Sequence, residues 1–289
     1  MFNKVYLMGV GLINASLAKD LKQQKLAKTI VGIGRSSHRL AAAQSLNIID
    51  DYQLLENIDV SDADVIVVGV PVGKIKDSFA LLKPSLHSNT LLTDVGSSKS
   101  DVVQAALEVF GELPVNFVPG HPIAGSEQSG FEHAVGQLYK NRKVILTPTD
   151  RTADSASELI KKMWQRVGAS VDLMSASQHD AILSATSHLP HMVAYNLVSY
   201  LGRRKDADSI FTYAAGGFYD FTRIASSDPT MWADICVANK KEILNSIDGF
   251  ISSLDELKQQ IAGEDRGAIH LLFEQAKQLR DENLNKKLK

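Results

Sequence analysis

Phe2-Asn3-Lys4-Val5-Tyr6-Leu7-Met8-Gly9-Val10-Gly11-Leu12-Ile13-Asn14 is the stretch on which the fold turns. Residues 2–8 read as a strand, and Gly9-Val10-Gly11-Leu12-Ile13-Asn14 as the glycine turn that opens a helix. That context is the one a dinucleotide-binding turn requires. The first glycine permits the tight turn, and the second lets a pyrophosphate reach the unpaired N–H groups at the helix start. Gly9, Gly11, Leu12 and Ile13 are therefore candidate cofactor-binding residues. Asn14 stands where a third glycine or alanine is usual, which predicts a helix set slightly away from its strand.

Outward from this turn, the first 174 residues alternate β-rich runs with amphipathic stretches, the pattern of a parallel sheet covered on both faces. The expected strands are 4–8, 29–33, 64–70, 90–94, 115–119, 143–147 and 170–174. Beyond Met174 the β signal fades, and 178–201, 231–254 and 257–280 read as helices with apolar residues at three- and four-residue spacing. The expectation is an α/β chain: a Rossmann-type, doubly wound, mostly parallel domain over 1–174, then an all-α domain over 175–289. Apolar positions such as Ile235, Ile243, Leu244, Ile247 and Ile251 suit burial within that bundle or against a second copy.

Composition narrows the function classes. Thirty-one basic and 33 acidic residues nearly balance, and the dense basic cluster is confined to Lys286-Lys287-Leu288-Lys289, so nucleic acid and anionic membranes are not expected partners. A single cysteine, Cys236, excludes an internal disulfide and a multi-thiolate zinc site, which fits a reducing compartment. Without a signal peptide or a run of about 18 apolar residues, a cytoplasmic location is expected.

The second strand ends Gly32-Ile33-Gly34-Arg35-Ser36-Ser37-His38-Arg39, with no carboxylate to accept a ribose 2′-hydroxyl. Arg35, Ser36, Ser37 and Arg39 suit a 2′-phosphate instead, favouring NADP over NAD. The competing reading is a solvated basic loop. Val70-Pro71 and Asp94-Val95-Gly96-Ser97-Ser98-Lys99 fall at further strand ends, where open α/β sheets bind ligands. Ser97 reads equally as the N-cap of a helix over 100–110.

Two segments carry a resemblance that covers nearly the whole chain: Pro119-Gly120-His121-Pro122-Ile123-Ala124-Gly125-Ser126-Glu127-Gln128-Ser129-Gly130, and Asp220-Phe221-Thr222-Arg223-Ile224-Ala225-Ser226-Ser227-Asp228-Pro229-Thr230-Met231-Trp232. With them, the chain resembles the prephenate dehydrogenase family, which includes the arogenate and cyclohexadienyl dehydrogenases. The resemblance implies oxidative decarboxylation of prephenate or arogenate in tyrosine biosynthesis, and a homodimer built through the helical domain. It implies that His121 hydrogen-bonds the ring hydroxyl of the substrate, that Ser97 assists it, that Arg223 binds a substrate carboxylate, and that Glu127 closes over the site. It places Ser187, His188, His191, His179 and Trp232 on the substrate side. Asp220, three residues before Arg223, would orient it if the segment is helical.

His188 and His191 have a spacing that a metal could use, but the His-Glu-x-x-His arrangement is absent and no metal is expected. The chain ends soon after its last helix, so neither an appended regulatory domain nor a mutase domain is expected, and tyrosine inhibition would act at the active site. Two other readings compete. One is an NADP-dependent hydroxy-acid or imino-acid dehydrogenase, a family that relies on a catalytic lysine in its helical domain. The other is a regulator that senses NADP without turnover.

Overall fold

The computed structural model describes residues 1–125 and 128–287, with side chains through 284. Its strands are β1 (Phe2–Met8), β2 (Ala27–Gly34), β3 (Asp51–Leu54), β4 (Val65–Val68), β5 (Leu91–Asp94), β6 (Phe117–Val118), β7 (Gly120–Pro122), β8 (Lys143–Leu146) and β9 (Ser170–Leu173). The first six form one parallel sheet in the order β3-β2-β1-β4-β5-β6. Strand order reverses between β1 and β4, and that reversal opens the crevice where doubly wound sheets bind ligands.

Burial on both faces explains why the central runs Val5-Tyr6-Leu7-Met8 and Val65–Val68 are apolar at successive positions rather than at alternate ones. Val5 and Leu7 enter a core with Leu17, Leu21, Ile30 and Trp164, while Tyr6 and Met8 enter the opposite one with Phe79, Leu82 and Phe117. Each such side chain contributes roughly 1.5–3 kcal/mol on leaving water.

The single strand expected over 115–119 is two. Phe117–Val118 pairs with β5 in the large sheet, and Gly120–Pro122 leaves it to run antiparallel to β8 in a second sheet, β7-β8-β9. Pro119 stands at the break, where a residue without an N–H interrupts a ladder at least cost. His121 thus lies where the chain passes from one sheet to the other, paired with Ile145.

After β9 the chain is helical. The helix expected over 178–201 is interrupted: Ala176–Leu183 and Leu189–Gly202 flank a π turn, Ser184–His188. Pro190 has no N–H to return to the carbonyl four residues back, and the backbone widens there. Helix Pro229–Ala238 is followed at once by Lys240–Ala262, and then by Arg266–Lys287. Two short helices, Ala207–Thr212 and Gly216–Thr222, lie in a stretch without clear periodicity. The compact units are Met1–Glu242 and Ile243–Lys289. No helix among the described residues is long and apolar enough to cross a membrane.

Candidate active site

A cavity of about 600 Å³ occupies the crevice. Of the candidate cofactor-binding residues, Gly9, Gly11, Arg35, Ser36, Arg39, Val70 and Pro71 line it, whereas Leu12, Ile13, Ser37 and Ser97 do not. Leu12 and Ile13 open the helix behind the turn, and Ser37 is the exposed first residue of the helix after β2. Helix Leu12–Gln23 begins at Gly11 without a side-chain cap, so its first N–H groups are left for a ligand anion. Gly9 adopts the positive φ, +82°, that the turn demands. The cavity and this helix start fit a nicotinamide dinucleotide. The far wall, Lys74, Asp77, Ser78 and Leu81, was not anticipated. It belongs to the helical stretch that follows Pro71, whose amphipathic pattern looks like any surface helix.

Asn14 is buried, and its amide donates to the carbonyls of Gly9 at 2.9 Å and Val67 at 3.1 Å, joining the end of β1 to β4. Its room comes from Gly69, where a Cβ would stand 2.4 Å from the Asn14 amide nitrogen.

A second cluster gathers residues from four separate segments. Lys99 and Asp94, both fully buried, form an ion pair. Lys99 also donates to the Gly120 carbonyl at 2.8 Å, and Asp94 accepts from the Gly120 N–H at 3.1 Å. This brace holds the backbone immediately before His121. Asp180, one turn into helix Ala176–Leu183, accepts from the N–H groups of Lys99 and Ser100, each at 2.8 Å. It therefore caps helix Ser100–Phe110. Ser97 does not cap that helix; it is half-buried and makes no hydrogen bond to the described residues.

The same Asp180 carboxylate lies 2.8 Å from His179 Nδ1, and His179 Nε2 lies 2.8 Å from His121 Nδ1. A carboxylate only accepts, so Nδ1 of His179 carries hydrogen. With neutral rings, His179 Nε2 accepts from His121 Nδ1–H, leaving His121 Nε2 with its lone pair. Burial drives the His121 pKa well below the ordinary histidine value, and the nearby His179 imidazole, Lys99 ammonium and His188 imidazole further disfavour a positive charge on it. For Asp180, burial pushes upward, but the hydrogen bonds from His179, Ser100 and Lys99 outweigh it and hold the carboxyl below its usual range.

The model described as "Prephenate dehydrogenase, nucleotide-binding domain" matches residues 17–173, and "Prephenate dehydrogenase, dimerization domain" matches 175–275. The chain belongs to the prephenate dehydrogenase family. Bacillus subtilis prephenate dehydrogenase is 36% identical over 286 residues, covering 97% of this chain and 76% of that protein. Zymomonas mobilis cyclohexadienyl dehydrogenase is 34% identical, covering 92% and 90%. The Aquifex aeolicus prephenate dehydrogenase structure in complex with hydroxyphenyl propionate and NAD+ superposes with a TM-score of 0.91 at 36% identity, covering 98% of both chains. Family membership makes the chain an oxidoreductase with a nucleotide-binding domain.

The remaining residues expected on the substrate side are spread over the helices. His188 is buried, 3.2 Å from the Asn239 amide nitrogen through Nδ1, and burial pushes its pKa down to about 4. Asn239 also donates to the Asp180 carbonyl at 2.9 Å. His191 Nδ1 donates to the Ser187 carbonyl at 2.8 Å, and its ring stacks on Trp232 with centroids 3.7 Å apart. Arg223 is exposed at the start of the turn Arg223–Ser226. Asp220 is helical and exposed but makes no hydrogen bond or ion pair to Arg223 among the described residues. Glu127 lies outside the described residues. Asp94, Lys99, Asp180 and Asn239 were not assigned roles from sequence; His179-Asp180 inside a helix was the one available signal.

Proposed function

We propose that the protein oxidatively decarboxylates prephenate to 4-hydroxyphenylpyruvate, or arogenate to tyrosine, using a nicotinamide dinucleotide with NADP preferred. The Asp180–His179–His121 chain carries this reading, because it leaves His121 with the acceptor nitrogen that the chemistry needs. The bound dinucleotide supplies the hydride acceptor. Hydride loss from the carbinol carbon builds positive character there, and His121 Nε2 takes the hydroxyl proton as the carbonyl forms. The ring carboxylate then leaves as carbon dioxide, its bonding pair completes the aromatic ring and turns the carbonyl into a phenolate, and His121 returns the proton to that oxygen. Aromatisation supplies the driving force, so the residues mainly position the substrate and hold one proton.

Arg223 suits a substrate carboxylate, with Glu127 closing nearby. Ser97, Ser187, His188, His191 and Trp232 are proposed to border the substrate. Arg35, Ser36 and Arg39 on the cavity wall support the preference for NADP. We assign the cofactor to 1–174 and substrate and dimer contacts to 175–289, a division supported by the change of family model between 173 and 175. A homodimer is supported by exposed apolar residues such as Leu244, Ile251 and Leu254. A cytoplasmic location is in keeping with the lone cysteine. Tyrosine, as the product or its close analogue, is proposed to inhibit at the active site, with competitive kinetics expected and noncompetitive kinetics rejecting it.

The test is a steady-state assay of cofactor reduction that crosses prephenate and arogenate with NAD and NADP, with His121→Asn as control. Turnover of one ring substrate that collapses in the variant supports the reading. Dinucleotide binding without turnover in any combination would move the hydroxy-acid enzyme and the sensor ahead of it.

A further inference from the structure

The end of β2 carries no carboxylate in sequence, yet the folded chain delivers one there from a distant loop. Glu132 Oε2 lies 3.1 Å from Arg39 Nη2, and Arg39 is a wall residue of the cofactor cavity. The Arg39 guanidinium carbon stands 5.1 Å from the centroid of the Phe131 ring, and buried Phe131 belongs to the same wall. Arg39 is thus held from two sides, by an aromatic face and by a carboxylate. Glu132 does not itself line the cavity and reaches a ligand only through Arg39.

The backbone is shaped for this meeting. Gly130 has φ +100°, and a Cβ there would stand 2.3 Å from Glu132 Oε2 and 3.3 Å from Arg39 Nη2. Glycine keeps open the space in which the two charges pair.

Charge decides what the pair does to cofactor choice. A 2′-phosphate is close to a dianion and pairs strongly with a guanidinium, whereas a 2′-hydroxyl is neutral. Glu132 offsets the Arg39 charge and repels a phosphate, so it opposes NADP and leaves NAD nearly untouched. Both side chains are about half exposed, at 55% and 48%, and an ion pair so placed is weak enough for a phosphate to displace.

We propose that Glu132 is a positioning residue for cofactor choice: it is the counter-ion of Arg39 when NAD fills the cavity and yields Arg39 to the 2′-phosphate when NADP does. The protein is thereby kept open to both dinucleotides. This rests on the dinucleotide-dependent reading above and assigns its cofactor preference to one ion pair.

Titration calorimetry of NAD+ and of NADP+ into the full chain measures the ratio of the two dissociation constants without turnover. Glu132→Gln is expected to shift that ratio about tenfold toward NADP, chiefly by tightening NADP, and Arg39→Gln at least as far toward NAD. Glu132→Asp, which keeps the charge, should stay near wild type. Equal changes in both constants, or a shift toward NAD in Glu132→Gln, would overturn the proposal. Wild type binding both cofactors with ratios unmoved by the variants removes the ion-pair assignment alone; wild type binding neither removes the dinucleotide reading with it.

Discussion

The cofactor cavity and the His121 cluster lie at neighbouring strand ends but are built on opposite plans. The cavity is lined by glycines, apolar side chains such as Val10, Leu40 and Val70, and a few exposed charges, and most of its parts follow one another along short stretches of chain. The cluster is buried and polar, and it draws single residues from Asp94, Lys99, His121, Asp180 and Asn239. Binding a dinucleotide needs a shaped backbone and an open helix start. Holding a histidine in one tautomer needs a chain of side chains with no loose end. Damage should therefore be graded in the first region and severe in the second.

The sharpest way to separate them is His121→Asn. It should lower kcat by about 10²–10⁴-fold while leaving dinucleotide affinity unchanged, as read from single-turnover rates beside direct binding. Lys99→Met strands the buried Asp94 carboxylate and should cost about 3–5 kcal/mol in urea unfolding, a penalty that truncating the exposed wall residues Arg35, Ser36 or Arg39 should not match. Asp180→Asn keeps shape but not charge, and a neutral amide cannot accept from His179, Lys99 and Ser100 together. A loss of about 10²-fold in kcat is expected, together with roughly 1 kcal/mol from the weakened helix cap. An unchanged rate would mean that the tautomer chain is not used.

The most gradual effects come with pH. In the proposed mechanism His121 acts as a neutral base, and burial holds its pKa below the ordinary histidine value, so the acid limb of kcat/KM should fall below pH 6.5, and a limb above that value would contradict the proposal. His188 is held neutral in the fold down to about pH 4, while an unfolded chain takes up its proton near 6.5. The unfolded state binds more protons in that window, so stability should decline as pH falls through it, by about 3 kcal/mol at most. Denaturation midpoints in His188→Asn should decline less.

The same contrast governs what could be read before the structure. The strand, glycine turn and helix over 2–23 were legible because local spacing dictates them. β3 was not, being four residues, Asp51-Tyr52-Gln53-Leu54, at a sheet edge with little apolar signal. The passage of Val118-Pro119-Gly120 between sheets was hidden because two short strands joined by a proline look like one. Residues such as Asn239, which separates two helices while its side chain reaches the Asp180 carbonyl and His188, acquire meaning only from contacts distant in sequence. Glu132 is similar: nothing near it in sequence points to Arg39.

Asp180 joins two events that are otherwise independent. Its carboxylate both ends a helix of the parallel-sheet layer and polarises the imidazole pair. A chain whose sheet had formed but whose later helices had not yet docked would own a finished dinucleotide crevice and a His121 free to take either tautomer. Under the role proposed for His121, a molecule with those helices undocked would hold its coenzyme while remaining chemically silent.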